Sequence, residues 1–386
     1  MSEKKLRVIV VGGAGSMGRW AVRTIAALDT AGLLTVADID AERAALTARS
    51  VAGPCAPMTL DATDPAAMRR AFADHDVVVN TMGPFALFMR PILEAALDSD
   101  CHYLDINDDW QPTLEAFDLD EKARSRQLHA VIGLGGSPGV TNLCAVMAAE
   151  RLDVVEELHT GWKISAATIV DEPDFPAPTA SAAMDHWIHQ CSELIRAREG
   201  GRDTDVQPVQ PVELDFPGRG RVVAYTMGHP EPITLTRSFP ELTRSLNLQS
   251  GPAWLLDGLR AIGGDVGAGT ISLQEGIRRM GELPRPAEKG PRDLLPIEWA
   301  LAIGTKDGAP RSVAVYPEHF HPARMGGNTG VPVGIGVELL RRGALLETGV
   351  HAPESAIPTR QFFDLLAPLT DESLSGWDDL IALVEA

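Results

Sequence analysis

A glycine-rich turn between a short apolar run and a helical pattern is the feature that most constrains this chain. Residues 8–11 are all β-branched and apolar, which predicts a buried parallel strand. Gly13, Gly15 and Gly18 follow with the spacing Gly-x-Gly-x-x-Gly. There the first glycine permits a tight turn, the second lets a pyrophosphate approach the backbone, and the third lets the next helix pack closely. A dinucleotide is therefore predicted to bind at Gly13, Ala14, Gly15, Ser16, Met17 and Gly18; the alternative is a glycine turn with only a structural role.

The second predicted strand, residues 33–37, ends at Asp38. A carboxylate there hydrogen-bonds the ribose hydroxyls of an adenosine and repels a 2′-phosphate, so NAD is expected over NADP. NADP stays open, because Arg43 in the next helix could reach a phosphate if Asp38 turned away. Ile39 is assigned to the same cofactor site. Asp61 and Ala62, after the third strand, are expected to border the adenine, or else merely to precede a helix capped by Asp64.

Charge and composition limit the classes of partner. Of the 386 residues, 53 are acidic and 34 are basic, and the net charge of −19 argues against nucleic acid or an anionic membrane. It is compatible with a cationic substrate, although a solvated acidic surface is the better explanation of it. No stretch approaches the roughly 18 apolar residues of a membrane span, and the apolar run near the start is too short for a signal peptide. Four scattered cysteines indicate free thiols, so a cytoplasmic location is expected.

Strand and helix patterns divide the chain into predicted domains. Residues 1–140 alternate strands and helices, which predicts an α/β fold with a doubly wound parallel sheet, a Rossmann domain. The rhythm changes after Gly139, and residues 141–345 are predicted to form a second, mixed α+β domain. Within it we expect a helix over 185–198 closed by two glycines, a hairpin of 297–303 with 311–316, and a glycine-rich stretch, 326–336, that leads into a helix. Two proline-rich stretches, 171–178 and 284–296, predict loops.

Four motifs together resemble the saccharopine dehydrogenase-like family, the reductases related to saccharopine reductase and lysine 6-dehydrogenase. They are the N-terminal fingerprint closed by Asp38, the stretch Asn80-Thr-Met-Gly-Pro-Phe85, the stretch Gly135-Gly-Ser-Pro-Gly-Val-Thr-Asn142, and Thr329-Gly-Val-Pro332 with the later Gly343–Glu354 segment. The resemblance implies an NAD(P)-dependent oxidoreductase acting on a C–N bond of an amino acid or imine. It also implies a homodimer formed by the second domain, and a C-terminal segment, 346–386, that returns to the first domain.

In an open α/β sheet, ligands lie beyond the carboxyl ends of the strands. The loops after the fourth and fifth strands are therefore expected to meet the nicotinamide end of the cofactor. The residues assigned there are Asn80, Thr81, Met82, Gly83, Pro84, Phe85 and Asn107. Asp108 is a candidate catalytic group; the alternative for its loop is a solvated acidic turn before the next helix.

Redox chemistry at a C–N bond needs a proton partner as well as a hydride carrier. His229 and Glu231 stand in a proline-flanked turn of the second domain and are the candidate acid–base pair, with Trp187 as a wall of the site. The alternative is a surface turn with ordinary charges. We expect the substrate between the 82–85 and 107–109 loops on one side and the second domain on the other. His186 and His189 have a spacing that could ligate a metal, but no further ligand supports it and no metal is expected.

Two other functions stay open. An enoyl or carbonyl reductase of the same ancestry would need a long apolar pocket without paired charges. A dinucleotide-binding regulator without enzymatic activity would bind the cofactor but have no open cleft beside it. The motifs of serine hydrolases, P-loop phosphotransferases and zinc proteases are absent from the sequence.

Overall fold

The computed structural model describes residues 4–167, 170, 172, 175, 182–284 and 293–386. The chain separates into two compact units. Unit 1 comprises residues 1–143, 168–179 and 319–380, and unit 2 comprises residues 144–167, 180–318 and 381–386. Most of the two proline-rich stretches, 171–178 and 284–296, lies outside the described residues.

Unit 1 is built on one parallel sheet of seven strands. The strands are β1 (Leu6–Val11), β2 (Ala31–Asp38), β3 (Cys55–Thr59), β4 (Val77–Asn80), β5 (His102–Asp105), β6 (His129–Val131) and β15 (Gly349–His351). Across the sheet they lie in the order β15-β6-β5-β4-β1-β2-β3. The apolar run at residues 8–11 is buried at the centre of this sheet, as its composition predicts. The predicted doubly wound α/β fold is confirmed.

Helices connect these strands and add a C-terminal layer to unit 1. They are α1 (Ser16–Ala27), α2 (Ala41–Arg49), α3 (Pro65–Phe72), α4 (Phe85–Asp98), α5 (Trp110–Phe117), α6 (Asp120–Ser125), α12 (Met325–Arg341), α13 (Pro353–Ala356), α14 (Thr359–Thr370) and α15 (Trp377–Leu380). Helix α7 (Val140–Ala149) begins in unit 1 and continues into unit 2.

The glycine-rich stretch 326–336 does not precede a helix, as the sequence suggested; it is itself the first part of α12. A Cβ atom at Gly330 would overlap the carbonyl oxygen of Met17, and one at Gly334 would lie 2.7 Å from Cβ of Thr24. These small residues therefore let α12 approach α1 closely, and that packing outweighs the low helix propensity of glycine. Because of it, residues 319–345 belong to unit 1, although the sequence placed the second domain up to residue 345.

Unit 2 contains a second seven-stranded sheet, in the order β10-β11-β12-β7-β13-β14-β16, and a two-stranded hairpin of β8 and β9. Only β12 and β7 pair in parallel; the other pairs are antiparallel. The strands are β7 (Val154–Lys163), β8 (Ile195–Glu199), β9 (Arg202–Val206), β10 (Pro211–Phe216), β11 (Gly220–Thr226), β12 (Asn247–Ser250), β13 (Glu298–Lys306), β14 (Ala309–Pro317) and β16 (Ile381–Glu385). The helices are α8 (Ala182–His189), α9 (Glu231–Ser238), α10 (Ala253–Gly267) and α11 (Leu273–Gly281).

Two predictions for unit 2 have opposite outcomes. The hairpin across residues 305–308 is confirmed as β13 and β14. The helix predicted over 185–198 is wrong, because α8 ends at His189 and β8 follows. Gly200 and Gly201 both have positive φ angles and form the turn between β8 and β9, so they close a hairpin rather than a helix.

The C-terminal segment also differs in detail from the expected layout. Residues 346–380 lie in unit 1, whereas β16 extends the sheet of unit 2 by pairing with β14. Three successive half-buried apolar residues, Ala382 to Val384, suit an edge position for this last strand. Among the helices of the described residues, none has the length and apolar character needed to cross a membrane.

Candidate functional site

The glycine turn of unit 1 forms a cradle that side chains would fill. A Cβ atom at Gly18 would overlap the carbonyl oxygen of Gly12 and lie 2.7 Å from Oγ1 of Thr81. Helix α1 starts at Ser16, and its N-cap residue Gly15 provides no side-chain cap. The first N–H groups of a twelve-residue helix therefore stand at a turn without side-chain cover, which is suited to a pyrophosphate.

Asp38 lies beside this turn at the end of β2. Its carboxylate accepts hydrogen bonds from Ala14 N at 3.2 Å and from Asp40 N at 3.1 Å. On the other side of the turn, Nη2 of Arg43 lies 3.4 Å from the carbonyl oxygen of Ala14. A carboxylate suited to ribose hydroxyls and a guanidinium suited to a phosphate thus both lie next to Ala14. The predicted turn residues fit a dinucleotide.

The residues assigned to the adenine differ in their surroundings. Ile39, directly after β2, is 66% exposed, which leaves an apolar surface for a base to cover. Asp61 instead accepts hydrogen bonds from the backbone N–H and the hydroxyl of Thr63, and these lower its pKa. Asp64 caps α3, as the alternative interpretation held, and Ala62 is buried. The carboxylate of Asp61 therefore has a local structural role.

The loop after β4 is fixed by its polar side chains. Asn80 is buried; its Oδ1 accepts a hydrogen bond from Met82 N at 3.0 Å, and its Nδ2 donates to the hydroxyl of Tyr103 at 3.0 Å. Thr81 donates to the carbonyl oxygen of Val11 at 2.9 Å. Met82 and Gly83 are half-buried, Pro84 is exposed and Phe85 is buried at the start of α4. These side chains hold the loop in place, and its backbone at 82–84 is the more accessible part.

The loop after β5 contains a buried carboxyl group. Burial raises the pKa of Asp105 to about 6, against the opposing effect of hydrogen bonds from Gly133 N and Asn107 N. The side-chain amide of Asn107 donates to Thr113 Oγ1 at 2.8 Å and its oxygen accepts from Asp109 N at 3.2 Å. Asn107 therefore shapes the loop, whereas the neighbouring Asp108 is half-buried at its surface.

In unit 2, the candidate pair His229 and Glu231 lies in the interior. His229 is 4% exposed and Glu231 is fully buried, so the alternative of a surface turn is wrong. Nδ1 of His229 lies 3.7 Å from Oε2 of Glu231, and Oε1 of Glu231 accepts a hydrogen bond from Asn247 at 2.9 Å. Glu231 is the first residue of α9, where a carboxylate interacts favourably with the helix dipole.

His186 extends this pair, a role that sequence analysis did not assign to it. Its Nε2 atom lies 3.2 Å from Nε2 of His229, so one imidazole donates a hydrogen bond to the other. The His229 ring also stacks on Trp162, with ring centroids 5.6 Å apart and an interplanar angle of 17°. Trp187, expected as a wall, donates a hydrogen bond to Oε1 of Gln249 at 2.8 Å.

Sequence analysis assigned no role in the site to three residues of unit 2 that lie within it: Trp162, Asn247 and Gln249. Each is a polar or amphipathic residue inside a strand, and polar residues alternate along both strands at 160 and 162 and at 247 and 249. Such alternation predicts a sheet face with polar side chains. The pattern could have indicated them, but without strand pairing nothing linked two stretches almost ninety residues apart.

The row Glu231, His229 and His186 can hold and move a proton. A carboxylate beside an imidazole stabilises its charged form and fixes its orientation. A second imidazole within hydrogen-bond reach then offers a path toward His186, which is only half-buried. Chemically this is an acid–base group supported by a buried carboxylate.

Comparisons with known proteins concern the fold and the N-terminal part of the chain. Residues 8–131 match the model of the family described as the saccharopine dehydrogenase NADP binding domain. A probable mitochondrial saccharopine dehydrogenase-like oxidoreductase of Arabidopsis thaliana is 38% identical over 50 residues, which is 13% of this chain and 11% of that protein. Apo saccharopine dehydrogenase (L-Glu forming) of Saccharomyces cerevisiae has a TM-score of 0.63 at 14% identity, over 99% of this chain and 100% of that chain.

These findings differ in what they establish. The structural likeness concerns the fold, since its sequence identity is low. The family match covers the parallel-sheet part of unit 1, the part that contains the glycine turn and Asp38. The resemblance to the saccharopine dehydrogenase-like family is therefore confirmed, and this chain has a saccharopine dehydrogenase-type NAD(P)-binding domain at its N-terminus.

Proposed function

We propose that this protein is an NAD(P)-dependent oxidoreductase that acts on a C–N bond of an amino acid or imine. The observation that carries the proposal is the row of Glu231, His229 and His186 in unit 2, of which Glu231 and His229 are buried. Burying a carboxylate and an imidazole costs free energy, and such groups concentrate where catalysis needs them.

In this proposal each unit has a separate task. When bound to unit 1, the nicotinamide supplies or accepts the hydride. Unit 2 handles the proton: His229 donates it to the nitrogen in imine reduction and takes it back in amine oxidation. Glu231 stabilises the protonated imidazole, and His186 passes the proton between His229 and solvent.

The polar character of unit 2 favours a C–N substrate over an enoyl thioester. An enoyl reductase would need a long apolar lining without paired charges. Instead, Glu231, His229, Asn247 and Gln249 are all buried within unit 2 and are joined by short polar contacts to neighbouring side chains. An apolar acyl chain would cover such groups without offering them a hydrogen bond, at a cost of about 1–3 kcal/mol for each polar atom that it leaves unsatisfied.

For the cofactor we propose NAD(H) as the preferred form. The carboxylate of Asp38 lies at the glycine turn, where it can accept hydrogen bonds from ribose hydroxyls. The cofactor residues that we propose are those assigned from the sequence. Asn107 and Asp61 act through the shape of their loops, because their side chains already bond within those loops. Asp108 remains a candidate for contact with the substrate.

The test is turnover by the purified protein and its variants. NADH and NADPH oxidation would be measured against imines, keto acids with amines, and enoyl thioesters. With the substrate found, His229→Ala and Glu231→Ala should each lower turnover about 100-fold or more, because general acid–base groups contribute on that scale. The affinity for NADH should stay unchanged, since neither residue belongs to unit 1.

His189→Ala is the matched control, because it removes another half-buried histidine of the same helix as His186. It should retain near-normal turnover. Near-normal turnover of both His229→Ala and Glu231→Ala would refute the acid–base assignment. Activity with enoyl thioesters alone would refute the C–N reaction but keep the oxidoreductase class.

We also propose a homodimer formed by unit 2, as the family resemblance implies. Exposed apolar side chains of this unit, Val154, Leu194 and Val223, are compatible with a protein contact. Sedimentation velocity at micromolar concentration should show twice the mass of the 41.3 kDa chain. A single species with the mass of one chain would contradict the dimer.

A further inference from the structure

One face of the large sheet in unit 2 carries several polar side chains, and the other contributes to an apolar cluster. Directly paired residues of neighbouring strands place their side chains on the same face of a sheet. Gln249 of β12 pairs with Trp162 of β7, and Trp162 pairs in turn with Glu298 of β13. The alternate residues Leu248, Trp299 and Leu301 belong to an apolar cluster with Phe216. Glu298 therefore lies on the polar face.

Glu298 is a buried residue at the start of β13. Only 6% of its surface is exposed, and its side chain makes no hydrogen bond or ion pair within the described part of the chain. Burial raises its pKa to about 8. A carboxyl group in such surroundings costs free energy unless something compensates it, and no contact seen among the described residues does so.

The residue opposite Glu298 also has an unused polar group. The indole Nε1–H of Trp162 is buried and has no hydrogen-bond partner among the described residues. The same indole stacks on the ring of His229, the proposed acid–base group. A carboxyl group without a hydrogen bond among the described residues, a buried indole N–H that also lacks one, and the proton-transfer row thus lie around one tryptophan. Such a combination is expected where a polar ligand completes the hydrogen bonds.

We propose that Glu298 binds the positively charged amino group of the substrate and selects amine-bearing substrates. The inference rests on the proposed function, because it assigns a substrate group to the same sheet face. It goes further by naming a residue and a charge. A carboxylate is the natural partner of an ammonium group in a poorly hydrated site, where a charge-assisted hydrogen bond is strong. Trp162 offers an indole donor to an acceptor on the same ligand.

Binding of a cation by Glu298 has a measurable consequence at pH 7. The free carboxyl group is protonated there and has to ionise when an ammonium group binds, so about one proton should be released. Among the described residues, other titratable groups on or near this face are His186, Tyr225, His229, Glu231 and the thiols of Cys144 and Cys191. Burial raises the pKa of both thiols, so they stay neutral, and the histidines and Glu231 remain in a Glu298 variant.

The experiment is calorimetry with 6-aminohexanoate as the cationic probe and hexanoate as its amine-free counterpart. Titrations at pH 7 in phosphate and in Tris give the number of protons released. Wild-type protein should bind 6-aminohexanoate with release of about one proton, and Glu298→Gln should bind it about 10-fold more weakly or worse, with no release. Affinity for hexanoate should be equal in both. Glu213→Gln removes an exposed carboxylate of the same unit and should behave as wild type.

A second measurement needs no variant. The proton release of the wild-type protein should vanish at pH 9, where Glu298 is already ionised while the amine of the probe is still charged. Equal affinity of wild type and Glu298→Gln for 6-aminohexanoate, absence of binding to wild type, or proton release that persists at pH 9 would each overturn the proposal. Binding as expected without turnover of any C–N substrate would instead refute the proposed function and leave the ammonium site standing. If Glu298→Gln turned over amines as fast as the wild-type protein, the ammonium site would be refuted and the proposed function would stand.

Discussion

The cofactor edge of unit 1 and the polar face of unit 2 are built in different ways. At the edge, the key groups are backbone atoms and one carboxylate within residues 12–38, and they are held by short local hydrogen bonds. On the polar face, the groups are side chains from α8, β7, β12, β13 and the start of α9. A site made of backbone tolerates most sequence changes except those at its glycines. A site made of side chains depends on each of them, and its residues are scattered along the chain.

The two regions also differ in how well their polar groups are satisfied. In unit 1, Asp105 is fully buried but accepts three hydrogen bonds, from Gly133 N, Asn107 N and the hydroxyl of Tyr103. In unit 2, Glu298 is similarly buried and has no hydrogen bond within the described residues. The pKa of Asp105 rises to about 6 and that of Glu298 to about 8, because hydrogen bonds to the charged form offset part of the burial. On this basis Asp105 stabilises the fold through its hydrogen bonds, whereas Glu298 is the carboxyl group that we propose binds a ligand.

The largest expected effect concerns the stability of unit 2 at different pH values. Glu298 is protonated in both states below its unfolded pKa of 4.5, and it stays neutral in the fold up to about 8. The contribution of Glu298 to the free energy of unfolding is therefore fully present below pH 4.5. It falls by on the order of 1.4 kcal/mol per pH unit between pH 4.5 and about 8 and is lost above that. In denaturant titrations at pH 5, 6.5 and 8, the free energy of unfolding of Glu298→Gln should rise steadily relative to that of wild type. If the stability of both proteins depended on pH in the same way, the contrast between Glu298 and Asp105 would be refuted.

Next in size is the effect of a methyl group in the glycine cradle. Gly18→Ala would overlap the carbonyl oxygen of Gly12, so we expect a loss of about 1–3 kcal/mol in stability. The affinity for NADH should fall about 10-fold or more, measured by fluorescence titration. Gly32→Ala, where the nearest atom is Cβ of Lys5 at 3.3 Å, is the control and should bind NADH normally. Normal binding by Gly18→Ala would mean that the cradle is not the cofactor site.

The polar face should respond to loss of a single amide. Asn247→Ala removes the donor at 2.9 Å from Glu231 and the hydrogen bond to Thr160 at 3.0 Å. A buried carboxylate that loses a donor costs about 1–3 kcal/mol, so the free energy of unfolding should fall by that amount. NADH affinity should not change, because the substitution lies in unit 2. If Asn247→Ala altered NADH affinity as much as stability, the two regions could not be treated as separate.

The smallest effect expected is on cofactor choice. Asp38→Ser removes the charge that repels a 2′-phosphate while Arg43 stays beside Ala14, so the NADH:NADPH preference should narrow by about 10-fold. The matched control is Asp40→Ser, which removes the same charge but can still cap α2. Dissociation constants for both cofactors decide the matter. Tighter binding of NADPH than of NADH by the unmodified protein would contradict the role of Asp38.

Local signals predicted the structure around the glycine turn of unit 1 well. The apolar run 8–11, the glycine spacing and Asp38 lie close together in sequence, and each has a single structural meaning in a βαβ unit. The parallel sheet and the hairpin of β13 with β14 follow from equally local patterns. Local reasoning went wrong where a distant partner decided the outcome. The glycines of α12 form a helix because α1 packs on them, and the stretch after His189 forms a strand because β9 pairs with it.

The sequence by itself thus determined the class of the first fold and its glycine turn, and it named His229 and Glu231 as the candidate acid–base pair. Only the tertiary structure decided that these two are buried, that His186 joins them, and that Glu298 lies beside Trp162 on the same sheet face. The physical reason is range. Turns, caps and strand periodicity depend on neighbours along the chain, whereas burial and strand pairing depend on residues that come together only when the chain folds.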